Sequence, residues 1–364
     1  MQTKRITIRD VAKIAGVSVP TVSQVINGTG RISESTTERV MNVVRELNYI
    51  PDSRARSMRT SCTKTVGLVV PDLRSNYWSN LVYSVQSTML AFGYSTLIGA
   101  VYDDIERQDS FLRFMISQRI DGFIVVPNAK AGGVLPSICP KPGQASEEMS
   151  NSVVIDGIEY LRNFDNVPVV FVDRIPEKQF GVSTVTCDPA AGIAEALTTI
   201  KQSGHEKIAY VSGIVGVSPV LLKREKTFRD IASRSFKSEN CLIARLESFD
   251  NSIESVISSL MAKGVTCIVF GCSEDALNAA EYMRENNIVI GKDISVVSFD
   301  DISEFRFMTP RLSCISQHIT DMGETASRIL VDAMKAKQEK ITQEVKNVQT
   351  KSEFIQRESI AKLN

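Results

Sequence analysis

Two histidines, one tryptophan and no surplus of either charge mark this chain of 364 residues. His205 and His318 stand far apart. The seven cysteines (Cys62, Cys139, Cys187, Cys241, Cys267, Cys272 and Cys314) contain no Cys-x-x-Cys unit. Neither a metal-ligand spacing nor a disulfide framework is present, so no metal and no cofactor are expected. Cys267 and Cys272 flank an apolar run and read as small buried hydrophobes. No apolar run of about eighteen residues offers a membrane span. Met1 leads straight into a polar, basic stretch rather than a signal peptide, which reads as cytoplasmic. The patterns Gly-x-x-x-x-Gly-Lys, Gly-x-Gly-x-x-Gly and Gly-x-Ser-x-Gly are missing, and an enzyme on this chain has no visible machinery.

The balance of 42 basic and 42 acidic residues hides an asymmetry. Residues 1 to 60 hold ten Lys and Arg against five acids, net +5, which leaves net −5 on the other 304. A basic head on an acidic body confines phosphate contacts to one end.

That head carries the most informative stretch, Thr7 to Asn27. Thr7 and Asp10 have capping-box spacing and start a helix near Ile8. Val11, Ile14 and Ala15 follow as its apolar face. Gly16 ends it where a turn needs positive φ. Ser18 is placed to cap a second helix whose buried stripe is Val22, Val25 and Ile26, and Asn27-Gly28 closes it. Ser33 caps a third, with Val40, Val43, Val44 and Leu47 on its inner face. Helix, glycine turn, helix is the grammar that sets one helix into the major groove. Next comes Pro51-Asp-Ser-Arg-Ala-Arg-Ser-Met-Arg59, basic and weakly apolar. It reads either as a solvated linker or as a hinge that folds against DNA, with Met58 wedged between base pairs.

Over essentially its whole length the chain resembles the lactose/galactose repressor family of bacterial transcription regulators. The resemblance rests on Ile8 to Ser18, Thr21-Val-Ser23, Asn27-Gly28, Ile32-Ser33 and Leu47-Asn-Tyr-Ile-Pro51. It implies that Ser18, Thr21, Ser23 and Asn27 hold phosphates while Val19, Pro20 and Gln24 face base edges. It also implies a hinge helix over Arg54 to Arg59, inserted into the minor groove as a dimer, where the family usually has leucine at the position of Met58. Thr7, Arg31, Tyr49, Arg54 and Ala55 are counted with the DNA-contacting residues. Val19 suits a thymine methyl and Gln24 a bidentate contact with adenine, so the half-site preference at the Gln24 contact leans to A·T.

From Thr65 onward, apolar β-rich runs alternate with helical patterns. The runs are 65–70, 94–98, 122–126, 167–172, 207–211, 266–270 and 294–299; helix candidates are 81–92, 106–118, 190–201, 253–263 and 274–285. Short apolar strands between amphipathic helices give parallel sheets covered on both faces, and some 300 residues give two lobes. Ligands then sit beyond the carboxyl ends of the strands, in a cleft. Asp72 and Tyr77-Trp78 follow the first strand, Asp173-Arg174 the fourth and Asp300-Asp301 a late one. Each acid, taken alone, reads more readily as a cap or turn residue. The resemblance implies a periplasmic-binding-protein-like sensor. In it Tyr77 and Trp78 take aromatic pocket positions, Arg224 the ligand-clamping arginine, Phe249 an aromatic lid, and Asp300 the carboxylate that accepts ligand hydroxyls. Asp72, Arg174 and Ser273 complete the effector set. Ser273-Glu274, Asp188-Pro189 and Thr227 depart from the family pattern, so no particular sugar is carried over. A Gly-, Pro- and Ser-rich insertion around Lys130 to Glu147 reads as a mobile loop.

The fold expected is an all-α helix-turn-helix head over 1–50, a hinge over 51–64, and a two-lobed α/β effector-binding and dimerisation domain over 65–364. The function expected is a repressor that binds double-stranded DNA at a pseudo-palindromic operator as a homodimer. A small-molecule effector, a carbohydrate, modulates it from the cleft. The alternative on the same fold is control by a protein partner or corepressor. A solute-binding transport protein explains the core but not the basic head. No C-terminal heptad zipper is evident, which favours a dimer over a tetramer.

Overall fold

A computed structural model describes residues 6–51, 62–102, 104–128, 167–175, 181–213, 218–246, 252–342 and 344–363, in two compact units that meet at Thr63 and Lys64. In the first unit the Thr7 backbone N–H donates to the Asp10 carboxylate at 2.9 Å and the Asp10 N–H to the Thr7 hydroxyl. This reciprocal box, with aspartate for glutamate, opens α1 (Ile8–Ala15). Gly16, at φ 65°, turns the chain. Ser18 accepts from the Thr21 N–H and opens α2 (Val19–Asn27); Ser33 does the same for Thr36 at the head of α3 (Glu34–Glu46). Val11, Ala12, Ala15, Val22, Val40 and Val43 form the core. Ile14, expected inside, is 57% exposed, and Ala12 is buried instead. At about 100° per residue, Ile14 falls outside the arc of roughly 100° that holds Ile8, Val11, Ala12 and Ala15.

The second unit is built on two six-stranded sheets. One joins β1 (Thr65–Val70), β2 (Ser95–Ala100), β3 (Gly122–Val125), β4 (Val169–Val172), β5 (Ser183–Asp188) and β11 (Asn347–Lys351). Their order is β11-β5-β4-β3-β1-β2, with every neighbouring pair parallel. Val66, Leu68 and Val70 point to the face covered by α4 (Asn76–Ala91) and α11 (Ile319–Gln338). Val69 and Phe123 point to the other, under α5 (Ile105–Ser117).

The second sheet joins β6 (Ile208–Ser212), β7 (Cys241–Arg245), β8 (Cys267–Phe270), β9 (Ser295–Phe299), β10 (Ser313–Ser316) and β12 (Glu353–Ile355). The order is β12-β10-β9-β8-β6-β7, parallel except where β12 meets β10. Helices α6 (Ala190–Gln202) and α7 (Pro219–Ala232) pack Ile193, Leu197 and Phe228 on one face. Helices α8 (Ile253–Ala262) and α9 (Ser273–Glu285) pack Ile257, Ala276 and Met283 on the other. A short α10 (Ser303–Phe307) follows β9. The chain passes between the lobes three times, at 188–190, 316–319 and 351–353.

Strands β5, β7, β10 and β11 and helix α7 are not among the segments that periodicity singles out, and α4 begins five residues before the expected Leu81. β5 is polar in sequence yet buried, because its hydroxyls are satisfied across the sheet. Ser183 Oγ accepts from the Lys346 N–H at 3.0 Å, and Thr184 Oγ1 donates to Asn347 at 2.9 Å. His205 is fully buried, with Thr266 at 2.9 Å and the Ala361 carbonyl and Ser295 hydroxyl each at 3.1 Å, which makes its role structural. Cys267 is a buried core residue. Among the described residues no helix is long and apolar enough to cross a membrane.

Candidate nucleic-acid interface and inter-lobe site

Helix α2 has two unlike sides. At about 100° per residue, positions 19, 20, 23, 24 and 27 lie within an arc of roughly 140°, and Val22, Val25 and Ile26 lie opposite, in the head core. Val19, Pro20, Gln24 and Asn27 are exposed. No acid occupies the first turn, so the free N–H groups and the helix dipole suit a phosphate. The polar side chains are already ordered: Ser18 Oγ and Thr21 Oγ1 lie 2.9 Å apart, and Asn27 Nδ2 donates to the Ser23 carbonyl at 2.6 Å. Arg31 is exposed in the turn after α2; Thr7 is exposed and Tyr49 is half-buried against the head core. The expected hinge residues Arg54, Ala55 and Met58 lie outside the described residues, as do Phe249 and the insertion at 130–147.

The core places its candidates where strand ends of both lobes meet. Asp173 follows β4 and Asp300 follows β9, at φ 67° and 68°. Each N–H bonds to a neighbouring strand at 2.9 Å, Asp173 to Val185 and Asp300 to Ile315. Both carboxylates are buried. The Tyr77 hydroxyl donates to Asp173 Oδ1 at 2.8 Å. Gln317 Nε2 donates to the Tyr77 oxygen at 2.8 Å and to Asp300 Oδ1 at 2.7 Å. A continuous hydrogen-bonded chain thus runs from one lobe to the other through the 316–319 crossover. A second tie joins Asn76 Nδ2 to Ser303 Oγ at 2.8 Å.

Arg224 projects from α7, 4% exposed. It donates through Nη1 to the Gly271 carbonyl at 2.6 Å, stands 3.5 Å from Asp300 through Nη2, and lies over the Phe299 ring at 4.5 Å. Its Nε has no partner among the described residues. Burial works against the Arg224 charge, but Asp300, Tyr77 and Asp173 hold its guanidinium above the ordinary value. Burial pushes the Asp300 carboxyl up, opposed by Arg224 and the Gln317 amide. Burial and then Asp173 push the Tyr77 phenol well up, which keeps it a donor. Ser273, at the first turn of α9, gives its backbone N–H to Asp300.

Trp78 meets Tyr77 edge-on at 4.8 Å, and the Arg174 guanidinium covers the Trp78 ring at 5.4 Å and lies 3.8 Å from Asp173. The structure therefore gathers Tyr77, Trp78, Arg174, Arg224, Ser273 and Asp300. Asp72 is engaged elsewhere: Arg74 takes its carboxylate with bonds of 2.6 to 3.1 Å and holds it below the usual carboxylate range. Gln317 went unread in the sequence, since it follows a strand the pattern does not mark. Phe299, the last residue of an expected strand, had no signal of its own. Convergent carboxylates, guanidinium and amide bind hydroxyl-rich or polar molecules, and no nucleophile with its base is among them. Among the described residues no cluster of three metal-ligating side chains occurs.

Residues 7–52 match the family described as bacterial regulatory proteins, lacI family, and residues 197–360 the periplasmic binding protein-like domain. The HTH-type transcriptional repressor PurR of Glaesserella parasuis serovar 5 (strain SH0165) is 29% identical over 368 residues, covering 98% of this chain and 99% of that protein. The lac repressor dimer bound to operator and the anti-inducer ONPF has a similar fold, with TM-score 0.77, 22% identity, and 98% and 99% of the two chains covered. The complex of the transcriptional regulator CelR with cellobiose is similar at TM-score 0.64 and 22% identity, covering 98% of this chain and 100% of that one. The relatives align along nearly all of the sequence: the chain joins a head of the lacI family of bacterial regulatory proteins to a periplasmic-binding-protein-like core, and it is a DNA-binding transcriptional regulator.

Proposed function

We propose that the chain acts in the cytoplasm as a homodimer on a pseudo-palindromic operator and answers to a carbohydrate effector held between its lobes. The head over 1–50 reads one half-site per protomer through Val19, Pro20 and Gln24. Thr7, Ser18, Thr21, Ser23, Asn27, Arg31 and Tyr49 set it on the phosphates. The hinge over 51–64, through Arg54, Ala55 and Met58, enters the minor groove at the operator centre. Domain 65–364 supplies the dimer contact and the effector site of Tyr77, Trp78, Arg174, Arg224, Ser273 and Asp300. The family resemblance assigns Phe249 the lid, while Asp72, held by Arg74, is left out of the set.

The observation that carries this reading is the hydrogen-bonded chain Asp173–Tyr77–Gln317–Asp300. A ligand that enters there competes for the bonds that tie the lobes, so it binds the two lobe arrangements unequally, as coupling to DNA requires. The solved relatives support the ligand class and assembly, one as a dimer on its operator and another with cellobiose.

The test is selection from a random duplex library by the purified full-length protein, followed by titration of a panel of mono- and disaccharides against the selected site. Enrichment of a two-fold-symmetric site, with one sugar that releases or tightens it, is the expected result. A symmetric site indifferent to every sugar overturns the carbohydrate reading in favour of a protein partner or corepressor. Gln24→Arg should move the half-site preference from A·T to guanine, and an unchanged profile removes Gln24 from the reading face.

A further inference from the structure

Gln24 is the one long polar side chain on the exposed face of α2, and its carboxamide makes no hydrogen bond to any described residue. It is nonetheless placed. A Cβ built on Gly30 would stand 3.1 Å from Gln24 Cδ and 3.3 Å from both Nε2 and Oε1. With carbonyl and amide bonds of about 1.2 to 1.3 Å, those are the distances of a point directly above the amide carbon. The carboxamide therefore lies flat across Gly30, and the side chain that carries its in-plane donors and acceptor is exposed. These are the atoms a bidentate contact with a base edge requires. The loop is anchored to the same residue, since the Thr29 N–H donates to the Gln24 carbonyl at 2.9 Å. Gly30 itself sits at φ 84°.

We propose that Gly30 is a positioning residue for sequence recognition: its bare Cα is the platform that fixes the plane of the Gln24 amide. The inference rests on the reading of α2 as the base-contacting helix. A Cβ at position 30 stands closer to the amide than an ordinary contact allows, so the amide has to give by a few tenths of an ångström and loses its flat seat over Gly30. Gly28 supplies an internal control. It has a similar left-handed φ of 63°, but a Cβ there meets nothing within 4 Å. Gly28→Ala thus carries the same kind of backbone strain without touching Gln24.

The experiment is binding-site selection with full-length wild type, Gln24→Ala, Gly28→Ala, Gly30→Ala and the Gln24→Ala/Gly30→Ala double variant, each checked for folding by circular dichroism. Gln24→Ala identifies the base pair that Gln24 reads. Gly30→Ala should lower discrimination at that same pair by roughly fivefold, the lower end of what a bidentate contact provides. Gly28→Ala should leave the profile unchanged, and the double variant should match Gln24→Ala alone. Gly30→Asn, a residue that enters the left-handed region more readily, replaces the alanine variant if that one does not fold. The proposal is overturned by full discrimination in a folded Gly30 variant, by an equal loss in Gly28→Ala, by a further loss in the double variant, or by a Gln24→Ala profile identical to wild type. Wild type that enriches no sequence is a different failure, because it removes the DNA-reading assignment together with this one.

Discussion

Asp275 sits in the first turn of α9, where its carboxylate accepts from the Cys272 thiol at 3.1 Å and from the Gly213 N–H. Burial pushes its carboxyl up to about 6. A folded value above the ordinary 3.8 means that the folded chain binds this proton more tightly than the unfolded chain. Its contribution to stability is therefore best at low pH and declines as pH rises from about 4 to about 6, by roughly 3 kcal/mol in all. Asp275→Asn keeps a carbonyl acceptor and removes the charge, so it should raise the melting temperature more at pH 7.5 than at pH 4.5. Equal shifts at both values remove the argument. For Arg224, buried with its Nε unpartnered among the described residues, Arg224→Ala should abolish the proposed carbohydrate response and leave ligand-free operator affinity within about twofold. A thermal melt decides the rival outcome, in which folding is lost with the response and the arginine is structural. Gln317 belongs to the same scale and teaches the opposite lesson. A glutamine carries no motif, and its part in the site exists only because Tyr77, 240 positions away, arrives beside it.

At the scale of elements, a helix whose first turn is held by a side chain shows its start in the sequence. Thr7, Ser18 and Ser33 each accept from an N–H at the head of their helix, and all three starts are visible in sequence. Helices α4 and α7, which pattern reading shortened or passed over, begin without such a bond, but so do α6 and α9, which their apolar periodicity marks all the same. Thr7→Ala removes the capping box and should cost the head about 1 kcal/mol. The measurement is amide exchange in α1, expected to quicken about fivefold while amides of β8 are unmoved. Strands divide in the same way. Runs such as Thr65–Val70 and Cys267–Phe270 are apolar throughout because helices cover both faces of their sheets. β5 and β11 have the composition of surface segments and become strands by pairing with each other over five consecutive positions.

For the whole molecule, charge separation has a measurable consequence. The net +5 of residues 1 to 60 against net −5 elsewhere makes operator binding an event of phosphate neutralisation at one end. With about six to ten phosphate contacts, affinity should fall by roughly 10³ to 10⁵ between 50 and 200 mM salt, while affinity for the proposed carbohydrate at the buried inter-lobe cluster should change little. A shallow salt dependence at the operator removes the basic head from the binding account. The three passages between lobes have a second consequence. Residues from 65–188 and 319–351 share one sheet and residues from 190–316 and 353–355 the other, so neither lobe is a contiguous stretch of chain.

Much of the head and part of the core were settled by the sequence alone. A cap bond spans three residues, a left-handed glycine acts at its own position, and an apolar stripe repeats within one or two turns. Each is local and needs no other part of the chain. The effector cluster is of the other kind. Tyr77, Trp78, Asp173, Arg174 and Asp300 are visible as polar or aromatic groups at strand ends and Arg224 only by resemblance, while Gln317 joins them only in space. Their convergence depends on strand order and on where the chain crosses between the lobes. Those are set by long-range burial and backbone pairing, which no short window of sequence contains.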